Sequence, residues 1–239
     1  MRNKKSALTI LSNAFFVIIL MIIVFIILFV FFSSKTSMLE EKLYQSNVEY
    51  TNNMLSIYLN NQQCIAFSGA NNQIPTQSLI DFEKVLAQDN KNRDLFCMPY
   101  FRGIAYVQIL DTATKQVYNL TINKSNPKWA DSIITSSMPI ALYYSGNNIR
   151  LGLAKLTIYY GVIPDFYSVI KRATYFKQNF TMPLNNKYRI RYDNSTNIFC
   201  IQEDCFFAKF YCSVNSFEIP KGQHIIIMDY NNNSLQVKY

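Results

Sequence analysis

Three cysteines crowd one stretch near the C-terminus, Cys200-x4-Cys205-x6-Cys212, followed by the chain's one histidine, His224. Three thiolates and an imidazole could hold a zinc ion, but the spacings depart from the usual C-x2–4-C hooks, and an oxidising exterior competes for the thiols. Disulfide chemistry is the better reading. His224 precedes Ile225-Ile226-Ile227 and reads as an ordinary residue at a strand start. No Ser/His or Cys/His nucleophile can be assembled without resting on it. The adjacent carboxylates Glu203 and Asp204 would point to opposite faces of a strand, so they read as a solvated turn. The motifs G-x-S-x-G, H-E-x-x-H, G-x-G-x-x-G and G-x-x-x-x-G-K-[ST] are absent. No catalytic residue, cofactor-binding residue or metal ligand is therefore assigned, no cofactor is called for, and the chain is read as not an enzyme.

Lys187, Arg189 and Arg191 alternate with Tyr188, Ile190 and Tyr192. On a strand this places three cations on one face and two tyrosines plus an isoleucine on the other. The plain reading is an amphipathic strand with a solvated basic face. The functional reading is a stripe for an anionic partner, such as a lipid headgroup, with extracellular nucleic acid the lesser alternative.

All five cysteines (Cys64, Cys97, Cys200, Cys205 and Cys212) lie beyond the apolar N-terminal segment and read as bridges in an oxidising compartment. The odd count leaves at least one unpaired or bridged between chains. Cys64 and Cys97 each have their nearest partner in the other, with room for a helix between them, and form the expected pair. Sequons at Asn119, Asn123, Asn179, Asn194 and Asn232 all fall on the same side of that segment and agree with an exterior location.

The element that must place all these residues is the N-terminal segment. From Ser6 to Ser34 no residue is charged, and Ala14 to Phe32 is unbroken apolar. As a helix those 19 residues span roughly 28 Å, close to the hydrocarbon thickness of a bilayer. The run exits into Ser33-Ser34-Lys35-Thr36, without the small-residue cleavage site of a secretory signal, so it reads as an uncleaved anchor. Arg2, Lys4 and Lys5 precede it with no acid among them, which expects a cytoplasmic N-terminus and a single pass. The chain carries a net charge of +8, half of it is apolar and 15% aromatic. The exterior portion therefore has material for a core and a mild cationic excess.

Beyond the anchor, Leu39, Leu43, Tyr50, Met54 and Ile57/Tyr58 recur at helical spacing, which extends the helix to about Leu59. A second helix is predicted over Thr76–Gln88, after Pro75. Hairpins are predicted over Ile104–Leu110 with Val117–Ile122, and over Ile140–Tyr144 with Ile149–Tyr160. A short helix over Asp165–Phe176 precedes strands at Tyr188–Tyr192, Ile198–Ile201, Phe206–Tyr211, Ile225–Asp229 and Leu235–Tyr239. The expected fold class is α+β, a long transmembrane-plus-stalk helix followed by a mainly antiparallel β head with one or two short helices. The expected division is a basic leader (1–6), transmembrane helix (7–34), helical stalk (35–59), α+β region (60–162) and C-terminal β-rich region (163–239).

This layout resembles type IV pilin-like proteins, in particular the membrane-anchored secreted proteins common in archaea, with their class III-type N-terminal helix. The resemblance rests on Arg2-Asn3-Lys4-Lys5, the helix Ala7 to Phe32, the stalk to Leu59 and the block between Cys64 and Cys97, with Lys5-Ser6-Ala7-Leu8 at the processing position. It implies a non-catalytic surface protein in the cell membrane whose partners are the membrane and other surface or pilus-like subunits. An adhesin or receptor ectodomain for an anionic ligand is the alternative.

Overall fold

The computed structural model describes residues 2–67, 78–89, 102–120, 128–146, 148–208, 210 and 214–238, with the side chains of 2–15 and 206–207 outside the description. The fold is the expected α+β class, a long N-terminal apolar helix followed by a mostly antiparallel β domain with short helices. Two compact units divide the chain at Asn47/Val48.

Helix α1 (Arg2–Asn60) is a single run of 59 residues, free of Gly and Pro as the sequence requires. From Phe16 to Phe32 every side chain is apolar and exposed. This helix is long and apolar enough to cross a membrane.

The second unit begins inside the same helix. Residues up to Leu59 were expected in a stalk, but Val48–Asn60 lies in the compact β-containing unit. There Leu55, Tyr58 and Leu59 are buried in its first core, with Val48, Tyr50 and Met54 packed beside them. The apolar stripe at helical spacing is what packs, because apolar surface is stabilised by leaving water.

That core lies against a five-stranded sheet. Its strands are β1 (Leu79–Asp81), β2 (Ile104–Asp111), β3 (Gln116–Asn119), β4 (Ser132–Tyr144) and β5 (Asn148–Tyr160), in the order β1-β4-β5-β2-β3. All pairs are antiparallel except β1 with β4. Of the predicted helix Thr76–Gln88, Thr76 and Gln77 lie outside the described residues. Helix α2 (Phe82–Asp89) follows β1 directly, so within that prediction the stretch Leu79–Asp81 is a strand. Its Leu79-Ile80 pair is drawn into the ladder of β4. Side chains alternate between two cores with the period of a strand. Val107, Ile109, Ala154, Leu156 and Ile158 face the first core, whereas Ile104, Tyr106 and Tyr159 face the second.

Gly161 (φ 140°) turns the chain from β5 into helix α3 (Val162–Phe176), where a Cβ would come within 2.7 Å of Asp131 Oδ2. Pro164 is tolerated in the first turn because its missing N–H has no helical acceptor there. The helix ends at Lys177 in the left-handed conformation, with the Lys177 N–H donating to the Ala173 carbonyl.

Helix α3 buries Ile163, Phe166, Tyr167 and Ile170 in the second core, with two smaller sheets. One has the order β12-β11-β6, from β6 (Phe180–Asn186), β11 (Gly222–Asp229) and β12 (Ser234–Lys238). The other has the order β10-β7-β8-β9, from β7 (Ile190–Asp193), β8 (Ile198–Ile201), β9 (Asp204–Phe207) and β10 (Phe217–Ile219). Strand β6 carries Pro183 and is an edge strand paired only with β11, the position where a missing N–H breaks no ladder bond.

Candidate functional site

Of the residues singled out for chemistry, Arg191, Cys200, Asp204 and Cys205 lie in the small sheet of β7 to β10. Strands β7 and β8 are joined by a turn in which Asp193 Oδ1 accepts from the Ser195 N–H (2.9 Å) and hydroxyl (2.7 Å), while Oδ2 accepts from the Thr196 hydroxyl (2.9 Å). Those donors hold the Asp193 carboxyl below its ordinary range. Strands β8 and β9 are joined by the two-residue turn Gln202-Glu203, with Gln202 at φ 58°. Cys200 and Cys205 are directly opposite in that hairpin and form a disulfide, with Cα atoms 4.0 Å apart.

The three cations do not share one strand. Strand β7 begins at Ile190, so Lys187, Tyr188 and Arg189 lie in the connection from β6 and only Arg191 stands in the sheet. The cause is the buried Asn186, whose side-chain N–H group donates to the carbonyls of Tyr188 (2.7 Å) and Pro220 (2.9 Å) and turns the chain there. Arg189 forms an ion pair with Glu218 of β10. Glu218 is also the register partner of Arg191, so a carboxylate sits among the cations. Arg191 reaches the other way, with Nη2 3.8 Å from Cys200 Sγ. An open groove of about 650 Å3 runs beside it, lined by Arg191, Asp193, Thr196, Ser216, Phe217 and Glu218 among others.

Glu203 and Asp204 diverge. Glu203 is exposed in the turn, and Asp204 Oδ2 accepts from Trp129 Nε1 at 3.1 Å. His224 is buried in β11, in a different sheet from the cysteines, and its Nε2–H donates to the Pro220 carbonyl at 3.0 Å. Cys200 and Cys205 are bonded to each other, so their sulfurs do not join a thiolate set with Cys212, which lies outside the described residues. Cys64 is buried and disulfide-bonded. Cys97, its expected partner, also lies outside the described residues.

Among the sequons, Asn123 is outside the described residues. Asn119 accepts from Tyr106 (2.9 Å) and Gln108 (3.2 Å), and Asn179 accepts from the Tyr230 N–H (2.7 Å). Asn194 is partly buried in the β7–β8 turn, while Asn232 is exposed and donates to Asp229.

Two polar clusters were not visible in the residue pattern. Asp111 is fully buried, yet its carboxylate accepts from Tyr144, from the Thr114 hydroxyl and from the Ala113 N–H, with Arg150 at 3.5 Å. Burial pushes its pKa up, and these hydrogen bonds outweigh burial and hold it at about 2. The only signal was the polar turn Asp111 to Gln116, which gave no hint of Tyr144. Near α3, the Arg102 N–H donates to Tyr50 Oη (2.7 Å) while Arg102 Nε lies 3.6 Å from Asp165 Oδ1. Burial raises the Asp165 carboxyl, against the pull of Arg102. Both clusters join elements of the fold and neither aligns a nucleophile with a base.

Comparison with protein-family models, with curated proteins and with solved structures finds no match.

Proposed function

We propose that the chain is a single-pass membrane protein, pilin-like in build and non-catalytic, whose β-rich head lies outside the cytoplasm and assembles with or binds other surface components. The observation that carries this reading is the continuous exposed apolar face of α1 from Phe16 to Phe32, which has no counterpart in a protein that lives in water. The Cys200–Cys205 disulfide supports an oxidising compartment for the head. Arg2, Lys4 and Lys5, set against the absence of an acid before Glu40, support a cytoplasmic N-terminus.

Protease added to intact cells tests topology. The expected result is loss of the head and a protected fragment of about the first 40 residues, whereas full protection of the chain would end the reading. Mass spectrometry of the N-terminus, with inspection of sheared surface fractions, separates the assembling form from a receptor. Processing near Ser6 together with filaments marks assembly, and an intact N-terminus on a monomer marks a receptor.

A further inference from the structure

The outer face of the β10-β7-β8-β9 sheet carries a row set by register: Glu218 opposite Arg191, Arg191 opposite Cys200, and Cys200 opposite Cys205. We propose that the Cys200–Cys205 disulfide is a thiol-exchange site, attacked at Cys205 by a small thiol or dithiol and opened with Cys200 as the leaving thiolate. This goes beyond membrane anchoring and holds whichever way the chain is oriented.

Three observations converge. Access is asymmetric, because Cys205 is exposed on the last strand of the sheet while Cys200 is 2% exposed, so an incoming sulfur meets Cys205. The buried sulfur has a cation, since Arg191 Nη2 stands 3.8 Å from Cys200 Sγ. A guanidinium stabilises a thiolate, and exchange runs faster when the departing thiol has the lower pKa. Arg191 remains available for this because Glu218, the carboxylate opposite it, is ion-paired with Arg189.

The bond is also dispensable to the fold. It spans a sequence separation of 5 in a hairpin already registered by backbone pairing on both sides of β8. The chain entropy released on opening so short a loop is small, because that entropy grows with loop length. A disulfide that closed a long loop would contribute more to the stability of the fold, and its loss would cost more. This one leaves Tyr192, Phe199 and Ile201 packed in the second core on the opposite face of the sheet.

The step balances. A thiolate RS⁻ forms a bond to Cys205 Sγ, the Sγ–Sγ bond breaks, and its electron pair leaves on Cys200 beside Arg191. A second thiolate, from a dithiol or another monothiol, displaces Cys205 from the mixed disulfide. Cys205 leaves as a thiolate and takes a proton from water. The net change is a two-electron reduction of the disulfide, with the thiols oxidised to their own disulfide.

The test uses the full chain in detergent micelles, with native structure checked by near-ultraviolet circular dichroism. It is exposed to limiting dithiothreitol or to glutathione, quenched with an alkylating agent and mapped by mass spectrometry. Cys200 and Cys205 are expected to label before Cys64, and glutathione is expected on Cys205. Arg191→Gln should slow opening by about three- to tenfold, and Arg191→Lys should recover most of that rate. Opening no faster than that of the Cys64 disulfide would overturn the proposal, as would glutathione on Cys200 or an unchanged rate in Arg191→Gln. The parent comparison stands even if a variant misfolds.

Discussion

Tyr144 donates its phenolic hydrogen to Asp111 Oδ2 at 2.7 Å, tying the end of β4 to the turn after β2. The same carboxylate holds that turn through Ala113 and Thr114, so one buried charge organises the far edge of the five-stranded sheet. Its pKa, held at about 2, is depressed below the ordinary carboxylate value. The stability it contributes is therefore full above about pH 4 and is lost as pH falls through about 2. Asp111→Asn should lower stability at neutral pH by about 2 kcal/mol. It should also flatten the loss of stability between about pH 4 and pH 2 relative to the parent. Denaturant unfolding followed by the fluorescence of Trp129, the single tryptophan and buried in the second core, measures both. An equally steep acid limb in the variant would contradict the assignment.

Thr51 Oγ1 and Tyr160 Oη share a buried hydrogen bond of 2.8 Å between the end of α1 and the last residue of β5. Desolvation raises the Tyr160 hydroxyl to about 12, so it remains neutral across the physiological range. Thr51→Val or Tyr160→Phe alone should destabilise by about 1–2 kcal/mol, because each removes this buried hydrogen bond. The double variant should lose less than the sum, with a coupling of about 1 kcal/mol in a double-mutant cycle. Additive losses would show that the two side chains act separately.

Membrane insertion should tolerate one charge and fail with several. At roughly −0.4 kcal/mol per residue, the 19 apolar residues from Ala14 to Phe32 favour insertion by about 8 kcal/mol, while a lysine at the centre opposes it by about 3. Ile23→Lys should therefore remain in the membrane fraction. Changing Ile19, Ile23 and Ile27 together to Lys should release the chain from alkaline-washed membranes. Retention of the triple variant would argue against a spanning helix.

The Arg189–Glu218 pair is exposed, so removing it should change stability by less than about 1 kcal/mol. Its effect is on the field instead. Glu218→Gln should increase retention on heparin and steepen the salt dependence by about one unit of slope, as one more cation becomes available. Arg189→Gln should weaken retention, because it frees the Glu218 carboxylate to neutralise Arg191 opposite it. Equal retention by parent and Glu218→Gln would mark the basic patch as a solvated face.

Two kinds of information were legible without coordinates. The apolar block Ala14–Phe32 and the charges before it needed only composition, because a helix satisfies its own backbone hydrogen bonds and requires no distant partner. The hairpin β2/β3 and the turn end of β4/β5 were readable because β-branched and aromatic runs flank polar turns, whereas the first part of β4, from Ser132 to Pro139, was not anticipated. Helix α3 was readable because its apolar residues keep helical spacing. Strand β6 was hidden by Pro183, which only an edge position tolerates, and three-residue β10 is too short to carry a pattern.

The candidate site was another matter. The identities of Arg191, Cys200, Cys205 and Glu218 are plain in the sequence, but their alignment in one row across four strands is a matter of register. Register follows from turns such as Gln202-Glu203 and from which face the second core buries. In the same way, Asp111 reads as a turn residue until folding brings Tyr144 and Arg150 to it from strands more than thirty positions away. Local periodicity decides what forms a helix or a strand. Which charges meet is decided by packing, since pairs so distant in the chain become neighbours only when the apolar faces between them leave water.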